Sequence, residues 1–111
     1  MKLLIILLLS ITLNANEKTH LVIQTPQMVQ EYFDMGMKFY LGDSGDMNSS
    51  KAILYFKKAC KLELYKACTN LGIIYYYGHG VPQNDTIAKA YFAESCIGKE
   101  ALGCQYYKQI K

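Results

Sequence analysis

The chain has 111 residues and a formal net charge of only +3, and all twelve of its basic residues are Lys. A chain of this length holds one small domain. The low charge and the absence of Arg, which makes the paired contacts favoured in phosphate and base recognition, argue against a nucleic-acid partner.

Residues 1–15 have the composition of a secretory signal peptide. Lys2 is followed by an apolar run and then by the small residue Ala15, which is the order of a basic, an apolar and a cleavable region. The run is shorter than the roughly 20 residues of a membrane-spanning helix, so a permanent membrane anchor is the weaker interpretation. We expect cleavage near Ala15, a leader over residues 16–27, and a periplasmic or secreted product of net charge +2 after the loss of Lys2.

Five helices are predicted after the leader. Thr25 followed by Pro26 is typical of a helix start, because Thr caps the first turn and Pro fits the first helical position. The breaks "GDSGDMN" and "GHGVPQN" contain Gly and side chains that favour turns, and apolar residues recur three and four apart between them. The predicted helices cover residues 27–41, 49–62, 67–77, 85–97 and 100–110.

The sequence matches itself at an offset of 36 residues, without a gap from Met35 to Cys104. The identical pairs are Gly36 and Gly72, Tyr40 and Tyr76, Gly42 and Gly78, Asn48 and Asn84, Ala52 and Ala88, Tyr55 and Tyr91, Phe56 and Phe92, Cys60 and Cys96, and Cys68 and Cys104. A fixed period of this length is typical of an array of stacked repeats. Gly36 and Gly72 lie in mid-helix, where Gly costs about 1 kcal/mol relative to Ala. We expect the missing side chain to let two backbones approach closely.

The stretch "ACTNLGIIYYYGHGVPQNDTIAKAYFAESC" resembles a Sel1-like repeat, a relative of the tetratricopeptide repeat. The matching positions are Ala67, Leu71, Gly72, Tyr75, Gly78, Gly80, Val81, Asn84 and Ala88. The resemblance implies an all-α, right-handed α-solenoid of two helix-hairpin repeats and a C-terminal closing helix, held by disulfides. The repeat domain is expected over residues 28–111, with repeat one at about 28–63, repeat two at about 64–99 and the closing helix at about 100–111.

The four cysteines form two Cys-x7-Cys pairs. In one straight helix the two cysteines of a pair would be about 12 Å apart, beyond disulfide reach, whereas zinc and redox pairs use shorter spacings. Export favours disulfides, with thiols that stay free until export and intermolecular bonds as the alternatives. The spacing resembles the secreted cysteine-rich Hcp-type subgroup of this family, many of which are labelled β-lactamase. That resemblance implies the bonds Cys60–Cys68 and Cys96–Cys104, with a bend around residues 62–65.

The sequence contains no recognisable catalytic constellation, so the catalytic residues of any enzyme activity are unknown. The serines after the predicted cleavage point are Ser44, Ser49, Ser50 and Ser95, and none is followed three residues later by the Lys of a serine β-lactamase motif. Thr86 and Lys89 have that spacing, but Thr86 is interpreted as a capping residue. A zinc route needs several His, whereas His20 in the leader and His79 in a turn are interpreted as solvated side chains. No metal or cofactor is expected.

A binding surface is predicted on the first helix of each repeat. Its candidate residues are Asp34, Met37, Leu41, Asn70, Ile73 and Tyr77, continued by Tyr106 and Gln109. Aromatic and Met side chains beside amides are typical of protein-binding patches, although Met37, Leu41 and Ile73 would equally fit burial against a neighbouring helix. The preferred function is a monomeric secreted module that binds a protein, a peptide or a peptidoglycan fragment. The alternative is a penicillin-binding protein or a weak β-lactamase, whose ligand is a β-lactam.

Overall fold

The computed structural model describes residues 23–43 and 45–111. The predicted signal peptide with its cleavage point near Ala15, most of the leader and Ser44 lie outside these described residues. Within them the chain forms five helices and no strand, which confirms the all-α prediction. The helices are α1 (Pro26–Leu41), α2 (Ser49–Lys61), α3 (Tyr65–Tyr77), α4 (Asp85–Ile97) and α5 (Ala101–Gln109). None of these helices is long and apolar enough to cross a membrane.

Capping side chains start three of the helices. Thr25, Asn48 and Asn84 precede α1, α2 and α4, and each side-chain oxygen accepts a hydrogen bond from the amide three residues later at 2.9 to 3.2 Å. Such a cap satisfies one of the amides that a helix start leaves without a partner. The interpretation of Thr86 as the capping residue of α4 is therefore wrong, because Thr86 is the second residue of that helix.

Each disulfide closes the turn between one helix pair and the next helix. Cys60–Cys68 and Cys96–Cys104 are bonded, with Cα atoms 4.9 and 4.4 Å apart, so the pairing that the resemblance implied is confirmed. Glu63 and Lys99, at matching places in the two turns, have φ values of 68° and 66°. Residues with a Cβ rarely adopt this left-handed region. The chain therefore turns within "KLELYK" although these residues favour a helix. The Cys60–Cys68 bond joins the two helices on either side of this turn.

The mid-helix glycines make room for phenylalanine rings. A Cβ atom at Gly36 would lie 2.5 Å from the ring of Phe56, and one at Gly72 would lie 2.5 Å from the ring of Phe92. The expectation that a second backbone lies against each of these glycines is therefore wrong. What occupies the space is an aromatic ring from the second helix of the same repeat.

Two apolar clusters form the core. The larger one lies between α1, α2 and α3, and its buried members are Ala52, Ile53, Phe56, Ala59, Cys60, Ala67, Cys68, Leu71 and Ile74. The smaller one consists of Ala88, Phe92 and Ile110, with the ring of Tyr106 stacked on Phe92 at a centroid distance of 4.7 Å. Between the clusters, the hydroxyls of Thr69 and Ser95 are hydrogen-bonded to each other. α5 thus covers the open end of the second repeat with an aromatic side chain.

The repeat pattern does not continue into α5. Lys108 stands 36 residues after Gly72, so α5 lacks the glycine that receives a ring in α1 and α3. Tyr107 stands at the position of Leu71, and it is 40% exposed whereas Leu71 is fully buried. A polar outer helix is what the terminal unit of a solenoid needs for solubility.

Candidate binding surface

The first helices of the successive repeats, α1, α3 and α5, are linked by side chains that form a ladder across their shared face. Lys66 Nζ donates a hydrogen bond to Gln30 Oε1 at 3.3 Å, and these two residues occupy the same position in successive repeats. Asn70 Nδ2 donates a hydrogen bond to Met37 Sδ at 3.4 Å. The ladder holds the helices of the two repeats in register along the face on which binding residues were predicted.

The six predicted residues divide into packed and exposed members. Met37 and Ile73 are half-buried, and each packs against a core cluster. Leu41 and Tyr77 are 60% and 53% exposed. The remaining two are polar: Asn70 is half-buried beside Met37, while Asp34 is exposed and accepts a hydrogen bond from the side chain of Gln30 at 2.8 Å.

The exposed apolar members gather at the loop end of this face. Tyr40, Leu41, Met47 and His79 line a shallow hollow of about 340 Å³. The ring of Tyr77 is stacked on that of His79 at a centroid distance of 5.5 Å, and Met47 is 51% exposed. We call these five residues the His79 patch. Its two loop members, Met47 and His79, were not predicted as binding residues, because a loop has no periodicity that identifies its inner side.

His79 connects the two repeats within this patch. Its Nδ1 is 2.7 Å from the hydroxyl of Tyr40 in α1, and its ring lies against Tyr77 at the end of α3. The side chain is half-buried. The interpretation of His79 as a solvated turn residue is therefore wrong, and the histidine instead helps to position the aromatic side chains around the hollow.

The patch continues into a pair of bonded phenols. The hydroxyls of Tyr77 and Tyr106 are 2.9 Å apart. This hydrogen bond, and then burial, raises the pKa of Tyr106, and burial raises the pKa of Tyr40. A raised pKa favours the neutral phenol in the folded protein, so both groups remain protonated hydrogen-bonding groups at neutral pH. Their contribution to stability is present below the ordinary tyrosine pKa and is lost as the pH rises through the folded-state value.

The other candidate chemical groups are placed less favourably. Ser49 and Ser95 are buried, and Ser50 is exposed on α2. Sγ of Cys60 and Cys68 lies within 4.8 Å of a Glu94 carboxylate oxygen, but the two sulfurs are bonded to each other and are not thiolate ligands.

Thr86 and Lys89 share a second hollow, between α4 and the C-terminal residues. The hollow has a volume of about 340 Å³ and is also lined by Asp85, Tyr107 and Lys111. Nζ of Lys89 lies over the ring of Tyr107, 5.1 Å from its centroid. The structure thus places a hydroxyl and an amine on the lining of one hollow.

Comparison with known proteins identifies the family of the chain and a relative of part of it. The model of the Sel1 repeat matches residues 32–64 and 66–97, more than half of the chain. A Helicobacter pylori (strain J99 / ATCC 700824) protein named "Putative beta-lactamase HcpC" is 40% identical over 55 residues. This alignment covers 50% of the chain but only 18% of the relative's length.

Proposed function

The chain belongs to the Sel1 repeat family, and from this premise we propose that it is a small extracytoplasmic module that binds a protein or peptide segment on the face formed by α1, α3 and α5. Solenoids of helix pairs present such continuous faces to extended ligands. The observation that carries the proposal is the His79 patch, where apolar side chains stay exposed around a hollow.

The chemistry of the patch suits an apolar anchor from the ligand. Leu41 and Met47 are flexible apolar side chains, and Tyr40, Tyr77 and His79 are flat rings held by one another. Aromatic and Met side chains are enriched in protein interfaces, where a few buried anchors supply most of the affinity. A Leu- or Phe-sized side chain seated in the hollow would remove apolar surface on both molecules from water.

Polar groups follow the patch along the same face. Gln30 and Asp34 are exposed on α1, and Asn70 of α3 reaches Met37 of α1 on the same face. Side-chain amides and carboxylates of this kind bond the N–H and C=O groups of a peptide, which fixes its direction. The arrangement supports a peptide that places one apolar residue in the hollow and runs its backbone toward Gln30.

The proposed compartment follows from the covalent chemistry. Two disulfides persist only in an oxidising environment, and residues 1–15 have the composition of a cleavable export signal. The mature protein therefore acts in the periplasm or outside the cell, where its ligands are envelope proteins or peptides.

Selection of random displayed peptides on the oxidised protein is expected to enrich sequences with a large apolar residue. Leu41→Ser and Met47→Ser are each expected to weaken binding of an enriched peptide by about tenfold, since each removes part of an apolar contact of about 1.5 to 3 kcal/mol. Calorimetric titration of a synthetic peptide measures this loss.

The matched control is Leu54→Ser, which removes an apolar side chain that is 50% exposed on α2, a helix that is not part of the proposed binding face. Its affinity for the same peptide is expected to equal that of the unaltered protein. Equal losses for Leu54→Ser and Leu41→Ser, or a selection that enriches nothing, would contradict the proposal. If a parallel assay shows binding of peptidoglycan fragments while the selection enriches no peptide, the ligand is a peptidoglycan fragment and not a protein or peptide.

A second candidate function is the hydrolysis of a β-lactam, the activity in the printed name of the Helicobacter relative, "Putative beta-lactamase HcpC". The observation in its favour is the hollow that holds Thr86 and Lys89 together, because a hydroxyl beside an amine is the minimum for acyl transfer.

If this candidate function is correct, incubation with a chromogenic cephalosporin gives turnover or an acyl adduct in the mass spectrum. Thr86→Val, which removes the hydroxyl and keeps the shape, is expected to abolish both. A background rate together with an unchanged mass for the unaltered protein would eliminate this candidate.

A further inference from the structure

The outward side of α2 carries four lysines. The exposed residues of this helix lie within one arc of its surface, and they are Ser50, Lys51, Leu54, Lys57, Lys58 and Lys61. The helix contains no acidic residue, and Leu54 is 50% exposed in the middle of the lysines. The apolar side of this helix is buried in the core, so the clustered lysines are what the helix offers to an anionic surface.

Aromatic rings lie beneath two of these lysines. Nζ of Lys51 is 5.1 Å from the ring centroid of Phe39, and Nζ of Lys58 is 5.3 Å from that of Tyr32 and 5.5 Å from that of Tyr55. The ammonium groups lie over these rings in cation–π geometry. Both lysines are exposed, so their charges remain accessible at the surface.

The matching arc of α4 is apolar. The positions 36 residues after Lys51, Lys57 and Lys61 hold Ile87, Ala93 and Ile97. Ile97 is 78% exposed and borders an apolar hollow of about 400 Å³, and Ile87 is 38% exposed. Glu94, which follows Lys58 by one repeat, is the acidic side chain of this arc. Since α2 and α4 are the second helices of successive stacked repeats, their outer arcs face the same side of the stack and together carry four lysines and two exposed isoleucines.

We propose that this outer face, made of the exposed arcs of α2 and α4, docks on an anionic lipid bilayer. The lysines would meet lipid phosphates, and Ile97, Ile87 and Leu54 would enter the region below the headgroups. An acidic polymer would satisfy the lysines but would leave the isoleucines in water, so a bilayer accounts for both halves of the face. The proposal does not use the residues of the His79 patch and is independent of the peptide-binding function.

The expected binding is reversible and modest. Each lysine near an anionic bilayer contributes about a fivefold increase in the partition coefficient, and the attraction is screened by salt. Cosedimentation of the oxidised, exported protein with vesicles of phosphatidylglycerol and phosphatidylcholine measures this coefficient. Binding is expected to be strong at low salt, lower at high salt, and absent with pure phosphatidylcholine.

Two variants test the two halves of the face. Lys51→Gln combined with Lys58→Gln is expected to lower the partition coefficient about 25-fold, and Ile97→Gln is expected to lower it at least fivefold without changing the net charge. The matched control is Lys38→Gln combined with Lys108→Gln, which removes the same charge from exposed positions on α1 and α5. This control is expected to change the partition coefficient less than threefold. All variants share one N-terminus, and thermal melts verify that each is folded.

Three results would overturn the proposal. The first is equal binding to neutral and anionic vesicles. The second is an equal loss of binding in the control variant. The third is a combination of two observations: the protein binds polyglutamate through the lysines, and Ile97→Gln has no effect on vesicle binding. This combination would identify an acidic polymer as the occupant of the face.

Discussion

Removing the Cys60–Cys68 disulfide is expected to lower the free energy of unfolding by about 4 kcal/mol, compared with about 3 kcal/mol for Cys96–Cys104. The pairs Cys60→Ala/Cys68→Ala and Cys96→Ala/Cys104→Ala are matched, because both bonds join residues eight positions apart. The chain-entropy contribution is therefore the same, about 2.6 kcal/mol for each loop. The difference comes from packing, since Cys60 and Cys68 are buried in the larger core cluster whereas Cys96 and Cys104 are half-buried.

Urea unfolding of the two double variants measures these free energies. The same difference in burial is expected to decide which disulfide of the unaltered protein is reduced first, because an attacking thiolate needs access to a sulfur. In graded concentrations of reductant, alkylation followed by mass spectrometry should show Cys96–Cys104 open before Cys60–Cys68. A greater loss of stability from the Cys96–Cys104 variant, or the reverse order of reduction, would contradict the assignment of Cys60–Cys68 as the more deeply packed bond.

Gly72→Ala is expected to destabilise the protein by about 2 kcal/mol, although Ala is the better helix former. The added Cβ would lie 2.5, 2.6 and 2.8 Å from Cε1, Cδ1 and Cζ of Phe92, a fully buried ring. Overpacking of this kind costs about 3 kcal/mol, and the gain in helix propensity offsets about 1 kcal/mol of it. Thermal and urea unfolding of the variant measure the net effect.

A second substitution separates steric conflict from any other cause. Phe92→Leu makes room beside position 72, so Gly72→Ala is expected to cost at least 1 kcal/mol less in the Phe92→Leu background than in the unaltered protein. Gly36→Ala with Phe56→Leu repeats the test in repeat one, where the Cβ would also lie 2.5 Å from the ring. Additive effects in both repeats would show that the ring does not limit the residue at these positions.

The helices could be predicted from the sequence because their signals are local. The sequence shows the apolar periodicity of each helix. It also shows the residues that bound the helices, which are Asn48 and Asn84 before α2 and α4, and Gly42 and Gly78 after α1 and α3. The predicted boundaries differ from the observed ones by at most two residues. The largest difference is at α3, which begins at Tyr65 rather than at residue 67, because "KLELYK" contains no turn-forming residue that marks where the bend ends.

The candidate site was predicted less completely. Leu41 and Tyr77 belong to the exposed apolar region, but Met37 and Ile73 lie partly in the core, since helical spacing does not show which side of a helix receives the next one. Met47 and His79 entered the site only through the fold, because two loops that are far apart in sequence bring their side chains to one hollow.

By itself the sequence determined the helix pairs, their repetition and the recurrence of Gly36 as Gly72, since these depend on contacts within one repeat and on patterns that recur 36 residues later. Only the tertiary structure decided what fills the space beside each Gly, how His79 joins Tyr40 to Tyr77, and which apolar side chains remain in water. The reason is physical: exposure and side-chain contact depend on the distance between segments that are remote in sequence, and this distance is set by the packing of whole helices.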